Sequence, residues 1–285
     1  MKHYIAFLLL LAATVCSANA QNNKRPVPTL SLKPLQGGVQ LIDGGLGNMT
    51  LLVSNDEVLI VDTKAEEAGA PLEAMFKNEL AGKRIRYIVN THMHWDHTGN
   101  NKLLGKGATI IAQQNARDPM MTDSVSADDG LPNLTFDKET HLFFGGEEIR
   151  LIHWPFSHTD HDLIVYFTQS HVVAMGDMYF SGMYPFVAGG GNLDSLIVNL
   201  NSIINMLPAD VKIVPGHGPV SSLDDLRSTH RMLSETSQYI KMKIESGASL
   251  EAVLKDGLPD WTPTWGKGFC NEKCWIETVY HHYHK

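Results

Sequence analysis

Cysteine is scarce in this chain, with three in 285 residues. Cys16 falls in the N-terminal segment, which leaves Cys270 and Cys274. Two cysteines alone make a poor zinc site. Their spacing of four fits a disulfide badly on a regular helix, so they are expected as free or loosely paired thiols. There is no Lys/Arg-rich block, and the formal net charge is −8, which argues against nucleic acid as a partner. The chain has no G-x-S-x-G and no P-loop pattern, so neither a serine nucleophile elbow nor a phosphate cradle is indicated. No short repeat is visible. The N-terminal apolar run is too short to span a membrane.

That run has a different reading. Lys2 supplies positive charge, Tyr4 to Ala13 is apolar, and Ala18-Asn-Ala20 is an A-x-A cleavage site. Residues 1–20 are therefore expected to be a signal peptide cleaved after Ala20. The mature protein would be periplasmic or secreted, with no stable membrane insertion. The residues before Cys16, Ala13-Thr-Val15, fit a lipobox poorly. Residues 21–34 are polar and Pro-containing and are expected to be loose. Residues 35–285 are expected to form a single domain, since 43% hydrophobic and 19% charged residues suit one globular core.

The order of patterns suggests the architecture. Strand-like runs at Gly38–Ile42, Met49–Val53 and Val58–Asp62 precede a helical pattern from Ala68 to Leu80 and a strand at Ile85–Val89. Lys106 to Gln113 reads as another strand, and Asn115 to Pro132 as a lid or surface loop. Strands follow at 140–144, 148–152, 162–167 and 171–175. A helix at 192–207, a short strand at 211–214, a long helix at 223–246 and an aromatic tail complete the chain. Strands, helix and loop thus occur twice over. This predicts an α+β fold, an αββα four-layer sandwich of two similar halves with functional loops along one edge.

The densest chemistry lies at the tip of the Ile85–Val89 strand. His92, His94, Asp96 and His97 place three histidines and an aspartate within six positions. Strand residues alternate sides, so His92 and His94 can point the same way while Asp96 and His97 address a second point. Neutral imidazole and carboxylate suit a borderline cation such as zinc. Three further candidates end or join strands: His158, with His161 as its local rival, Asp177 after Gly176, and His217 between Gly216 and Gly218. His141, His153 and His171 read as surface or packed residues, and His281, His282 and His284 as a solvated tail.

The stretch Thr91-His-Met-His-Trp-Asp-His-Thr-Gly-Asn100 resembles the HxHxDH signature of the metallo-β-lactamase superfamily of hydrolases. Tyr184-Pro-Phe186 and Trp265-Gly-Lys-Gly-Phe269 resemble an exported branch of it. The resemblance implies two Zn²⁺ per chain, with iron or manganese as other occupants. His92, His94 and His158 would form one site, and Asp96, His97 and His217 the other, with Asp177 bridging. Asp62 would be the buried residue that supports the ligands, unless it caps the following helix. Three protein ligands per zinc leave an open position, the catalytic pattern. The resemblance then implies that a metal-bound hydroxide attacks a small ester, thioester, lactone or lactam carbonyl, with Asp96 orienting it or carrying a proton. Superfamily β-lactamases usually carry Cys or Ser where Asp177 stands, whereas thioesterases such as glyoxalase II, lactonases and phosphodiesterases keep Asp. Trp95, His161, Tyr179, Phe180 and Tyr184 are expected near a substrate pocket. Three other readings compete: an authentic or promiscuous β-lactamase, a mononuclear iron enzyme of the persulfide dioxygenase type, and a non-catalytic periplasmic metal-binding protein.

Overall fold

The computed structural model describes residues 25–122, 128–187, 190–259 and 265–284. Residues 1–20, expected to be a signal peptide, lie outside the described residues. The first half comprises β1 (Ser31–Pro34), β2 (Val39–Asp43), β3 (Met49–Ser54), β4 (Glu57–Val61), α1 (Gly69–Asn78), β5 (Arg84–Val89), α2 (Trp95–Thr98), α3 (Asn101–Leu104), β6 (Thr109–Gln113), α4 (Gln114–Thr122) and β7 (Leu134–Phe136). The second comprises β8 (Glu139–Phe144), β9 (Glu147–His153), β10 (Leu163–Phe167), β11 (Val172–Ala174), α5 (Leu193–Met206), β12 (Lys212–Val214), α6 (Leu223–Glu245), α7 (Leu250–Asp256) and α8 (Glu272–Tyr283).

β1 to β7 form one sheet in sequence order, and the other runs β12-β11-β10-β9-β8. Hairpins make β1 to β4 antiparallel. Crossovers make β4 to β7 parallel, and likewise β11 with β12. Alternation along the strands sorts the core into three apolar layers. Leu41, Leu59, Val89, Leu151, Val165 and Phe167 meet between the sheets. Ile42, Leu51 and Ile60 point outward, with Leu72 and Met75 of α1 in the same cluster. Ile164 and Val173 do the same on the other side, with Leu196 and Leu200 of α5 and Leu226 and Leu233 of α6. The result is the predicted αββα sandwich. Among the described residues no helix is long and apolar enough to cross a membrane.

Several expectations change. Sheet pairing starts at Ser31, inside the segment read as loose, because β2 offers an antiparallel edge and Leu30 and Leu32 pack on the outer core. The polar stretch after Gln113 is not all loop: Ala116 and Met120 are buried a turn apart and make α4 a helix. β7 and α7 lacked a visible pattern at three and seven residues. Cys270 and Cys274 are disulfide-bonded, with Cα atoms 5.3 Å apart. The objection from helix geometry fails because Cys270 precedes the N-cap Asn271 and only Cys274 is helical.

Candidate metal centre

Four loops carry the candidate residues to one edge of the sandwich. His92, His94, Asp96 and His97 follow β5, and His158 lies between β9 and β10. Asp177 follows β11, and His217 follows β12. Parallel pairing of β11 with β12 puts the ends bearing Asp177 and His217 side by side. Gly216 is required there: a Cβ would lie 2.0 Å from Asp177 Oδ1.

The side chains meet in two groups. Ligand atoms of His92, His94, His158 and Asp177 all lie within 4.8 Å of one another, and so do those of Asp96, His97 and His217. In the first group, His94 Nδ1 is 3.1 Å from His92 Nε2 and 2.9 Å from His158 Nε2. In the second, His217 Nε2 is 3.5 Å from His97 Nε2 and 3.2 Å from Asp96 Oδ2. Asp177 divides itself between them. Its Oδ2 faces His92 and His158 at 3.6 and 3.5 Å, and its Oδ1 faces His97 and His217 at 3.1 and 3.4 Å. Oδ1 is buried without a well-directed hydrogen bond.

These spacings test the fit to a metal. A tetrahedral zinc with bonds of about 2.0–2.1 Å puts its ligand atoms about 3.4 Å apart. The observed separations bracket that edge. The ring nitrogens turned away from the groups are held separately. His97 Nδ1 donates to Asp62 Oδ2 at 2.8 Å, and His158 Nδ1 donates to the Phe186 carbonyl. Thr91 Oγ1 donates to Asp62 Oδ2 at 2.8 Å, which leaves it to accept from His92 Nδ1 at 3.1 Å. In each case Nδ1 is hydrogen-bonded outward and Nε2 faces inward, as a metal ligand requires. The donor set fits one or two divalent cations.

Asp62 therefore supports the ligands and does not cap α1. It also accepts the Thr91 N–H at 2.8 Å. The loop behind it is held by a buried amide network. Asn90 and Asn101 exchange side-chain hydrogen bonds, the Thr63 N–H donates to the His97 carbonyl at 2.7 Å, and Asn100 Nδ2 reaches the carbonyls of Thr63 and Ala65. Lys64 is fully buried and donates to the Gly47 carbonyl at 2.7 Å. Burial lowers its pKa to about 8, against the pull of Asp43 and Asp62. Sequence reading missed the roles of Thr91 and Lys64; the signal for Lys64 was a lysine just after the apolar strand that ends at Val61.

Proton affinity divides the two groups. Burial pushes His92 well below the ordinary histidine range and His94 down to about 4, with neighbouring imidazoles adding to the effect. Burial opposes charge on His97 and His217 too, but carboxylates outweigh it. Asp177 and Asp62 hold His97 well above the usual range, and Asp177 and Asp96 raise His217. Conversely, despite burial, His97 and His92 hold Asp177 far down, and a hydrogen bond from His217 lowers Asp96.

The expected pocket residues separate. Phe180 stacks on His217 with ring centroids 5.0 Å apart. Trp95 is half-buried under the Arg25 guanidinium. Tyr179 and Tyr184 are each 1% exposed, Tyr184 stacking on Trp275, so they back the wall and offer no surface to a substrate. His161 is equally buried, its Nδ1 2.7 Å from Asp160 Oδ1, because the turn after His158 folds it inward. Of the remaining histidines, His141 pairs with Glu148, His153 with the Asp160 carbonyl, His171 with Asp210 and His282 with Asp194.

Comparison with known proteins agrees with this geometry. The profile of the metallo-beta-lactamase superfamily matches residues 42–218. A probable hydroxyacylglutathione hydrolase of Schizosaccharomyces pombe is 29% identical over 190 residues, covering 65% of this chain and 68% of that protein. A hydroxyacylglutathione hydrolase of Nitrosococcus oceani is 30% identical over 141 residues, covering 48% and 49%. Among solved structures, a metallo-beta-lactamase from Pontibacter korlensis superposes with a TM-score of 0.62 at 18% identity, covering 72% of this chain and 99% of its own.

Proposed function

The chain belongs to the metallo-beta-lactamase superfamily, and from that membership we propose that it is an exported di-zinc hydrolase of small carbonyl esters and thioesters. Lactones and lactams are further substrates of the same chemistry. The observation that carries this reading is the split of Asp177, one oxygen toward each group of histidines. A shared carboxylate is what two adjacent cations need to offset their repulsion.

Two bound divalent cations would supply Lewis acidity and a water acidified to a pKa of about 7. The protein's own groups do the rest. His92, His94 and His158 would hold one cation, and Asp96, His97 and His217 the other. Asp62 and the Phe186 carbonyl keep the imidazoles oriented with lone pairs inward. Asp96 has a partly exposed carboxylate beside His217, held ionised by it, so it can accept the proton of the attacking water and return it to the leaving group. Asp177 and the hydroxyacylglutathione hydrolases among the relatives favour a thioester over a lactam. The Cys270–Cys274 disulfide supports an oxidising compartment, in line with the N-terminal export pattern.

The test combines metal analysis with turnover of lactoylglutathione, an acyl-homoserine lactone, nitrocefin and a phosphodiester, with chelated protein as control. Two zinc ions per chain and thioester turnover are expected. One iron per chain with sulfur oxidation would assign a dioxygenase. Bound metal without turnover would assign a metal-binding protein.

A further inference from the structure

The family match ends at residue 218, yet a residue far beyond it reaches the metal centre. The Phe269 ring lies 4.9 Å from the His217 ring and 6.3 Å from Phe180, edge-on to both. On the other group, the Phe186 ring lies 6.5 Å from His158. Phe180, between them, is 3% exposed, whereas Phe186 and Phe269 are 54% and 62% exposed. Exposed phenyl rings against His158 and His217, in a site whose His94 and Asp96 are partly exposed, offer apolar surface where a substrate would enter.

Phe269 is anchored on both sides. Gly268 packs against Met183 so closely that a Cβ would lie 2.4 Å from its sulfur. Cys270 is 1% exposed and tied to Cys274 in the first turn of α8. α8 is itself fixed, its buried Trp275 donating to Thr236 Oγ1 of α6 at 2.9 Å. A ring held over a ligand from both neighbours costs a substrate little ordering entropy.

We infer that Phe269 is a specificity-determining residue, positioned by the Cys270–Cys274 disulfide, and that with Phe186 it selects substrates whose acyl group is aromatic or bulky and apolar over small acyl groups. This rests on the hydrolase reading above and adds the substrate class. A phenyl ring receives an aryl group edge to face or offset-stacked, so either exposed ring suits an aryl acyl group.

The experiment compares kcat/KM for phenylacetyl and acetyl thioesters of one thiol. The wild-type protein is expected to prefer the phenylacetyl ester, and Phe269→Ala to cut that preference about tenfold, the equivalent of about 1.4 kcal/mol. Phe269→Leu should retain part of it, and Cys270→Ser with Cys274→Ser should lower it in the same direction. Phe143→Ala, at an exposed ring on β8, is the surface control. An unchanged ratio in Phe269→Ala, or equal loss on both substrates, overturns the inference. If the wild type hydrolyses neither ester, the hydrolase reading fails, and binding of phenylacetate against acetate to the zinc-loaded protein decides the wall separately. Preference for phenylacetate that disappears in Phe269→Ala sustains it, and equal binding of the two acids by wild type overturns it.

Discussion

The two groups of metal-binding side chains lie side by side and are both mostly buried, yet they treat protons oppositely. His92 and His94 resist protonation, whereas His97 and His217 attract it. Burial acts the same way on all four. The difference is carboxylate density: the second group contains Asp96 and leans on Asp62, while the first shares only Asp177. A negative field that draws protons also draws a cation. The second group therefore combines strong cation attraction with strong proton competition, and in the first His92 and His94 keep their lone pairs free.

The largest test of this contrast removes what both share. Asp177→Ala should abolish hydrolysis and reduce metal content at both positions, read by turnover and elemental analysis of soluble protein. His94→Ala should abolish hydrolysis as well but spare one metal per chain. Retained activity in either variant would remove the site from the reaction. Asp96→Glu should keep metal but lower the rate by about a hundredfold, the scale of a mispositioned general base; an unchanged kcat would take Asp96 out of the mechanism.

The contrast also makes acid selective. His97 and His217 titrate above the ordinary 6.5, so a cation there must displace protons, and its affinity falls as pH drops through that range. His94, at about 4, meets no such competition. Dialysis at pH 5.5 should therefore strip one metal and leave the other, whereas simultaneous loss would erase the distinction. Asp62→Asn should weaken metal affinity about 10–100-fold, the usual effect of losing a ligand's orienting partner. Titration calorimetry should place that loss on the second centre.

An effect on stability alone lies behind the loop. Lys64 ionises near pH 8 when folded against 10.5 when exposed, so its buried charge costs about 3 kcal/mol at neutral pH. The folded state binds fewer protons between those values, and that cost fades as pH rises from 8 to 10.5. Urea melts of wild type and Lys64→Met should show wild type gaining on the variant over that window. A constant difference would mean that buried Lys64 keeps its proton to the same pH as an exposed lysine.

Much of this was legible in the chain. The HxHxDH run lies within one local segment, so its chemistry survives as a string of letters. The two rounds of strands and helices predicted the layers because period-2 and period-3.6 patterns are local too. β7 and α7 are too short for either period to show. The disulfide was misjudged because four-residue spacing was read as helix, and Asn271 starts the helix one residue too late for that.

What the sequence determined by itself is the kind of chemistry, imidazoles and carboxylates at strand ends, because residue type and local spacing are covalent facts. Only the tertiary structure decided which atoms face which. The opposed faces of Asp177, the burial of Tyr179, Tyr184 and His161, and the reach of Phe269 to His217 all depend on strand order and helix docking. Those are set by burial summed over the whole core, and no short stretch of residues contains that sum.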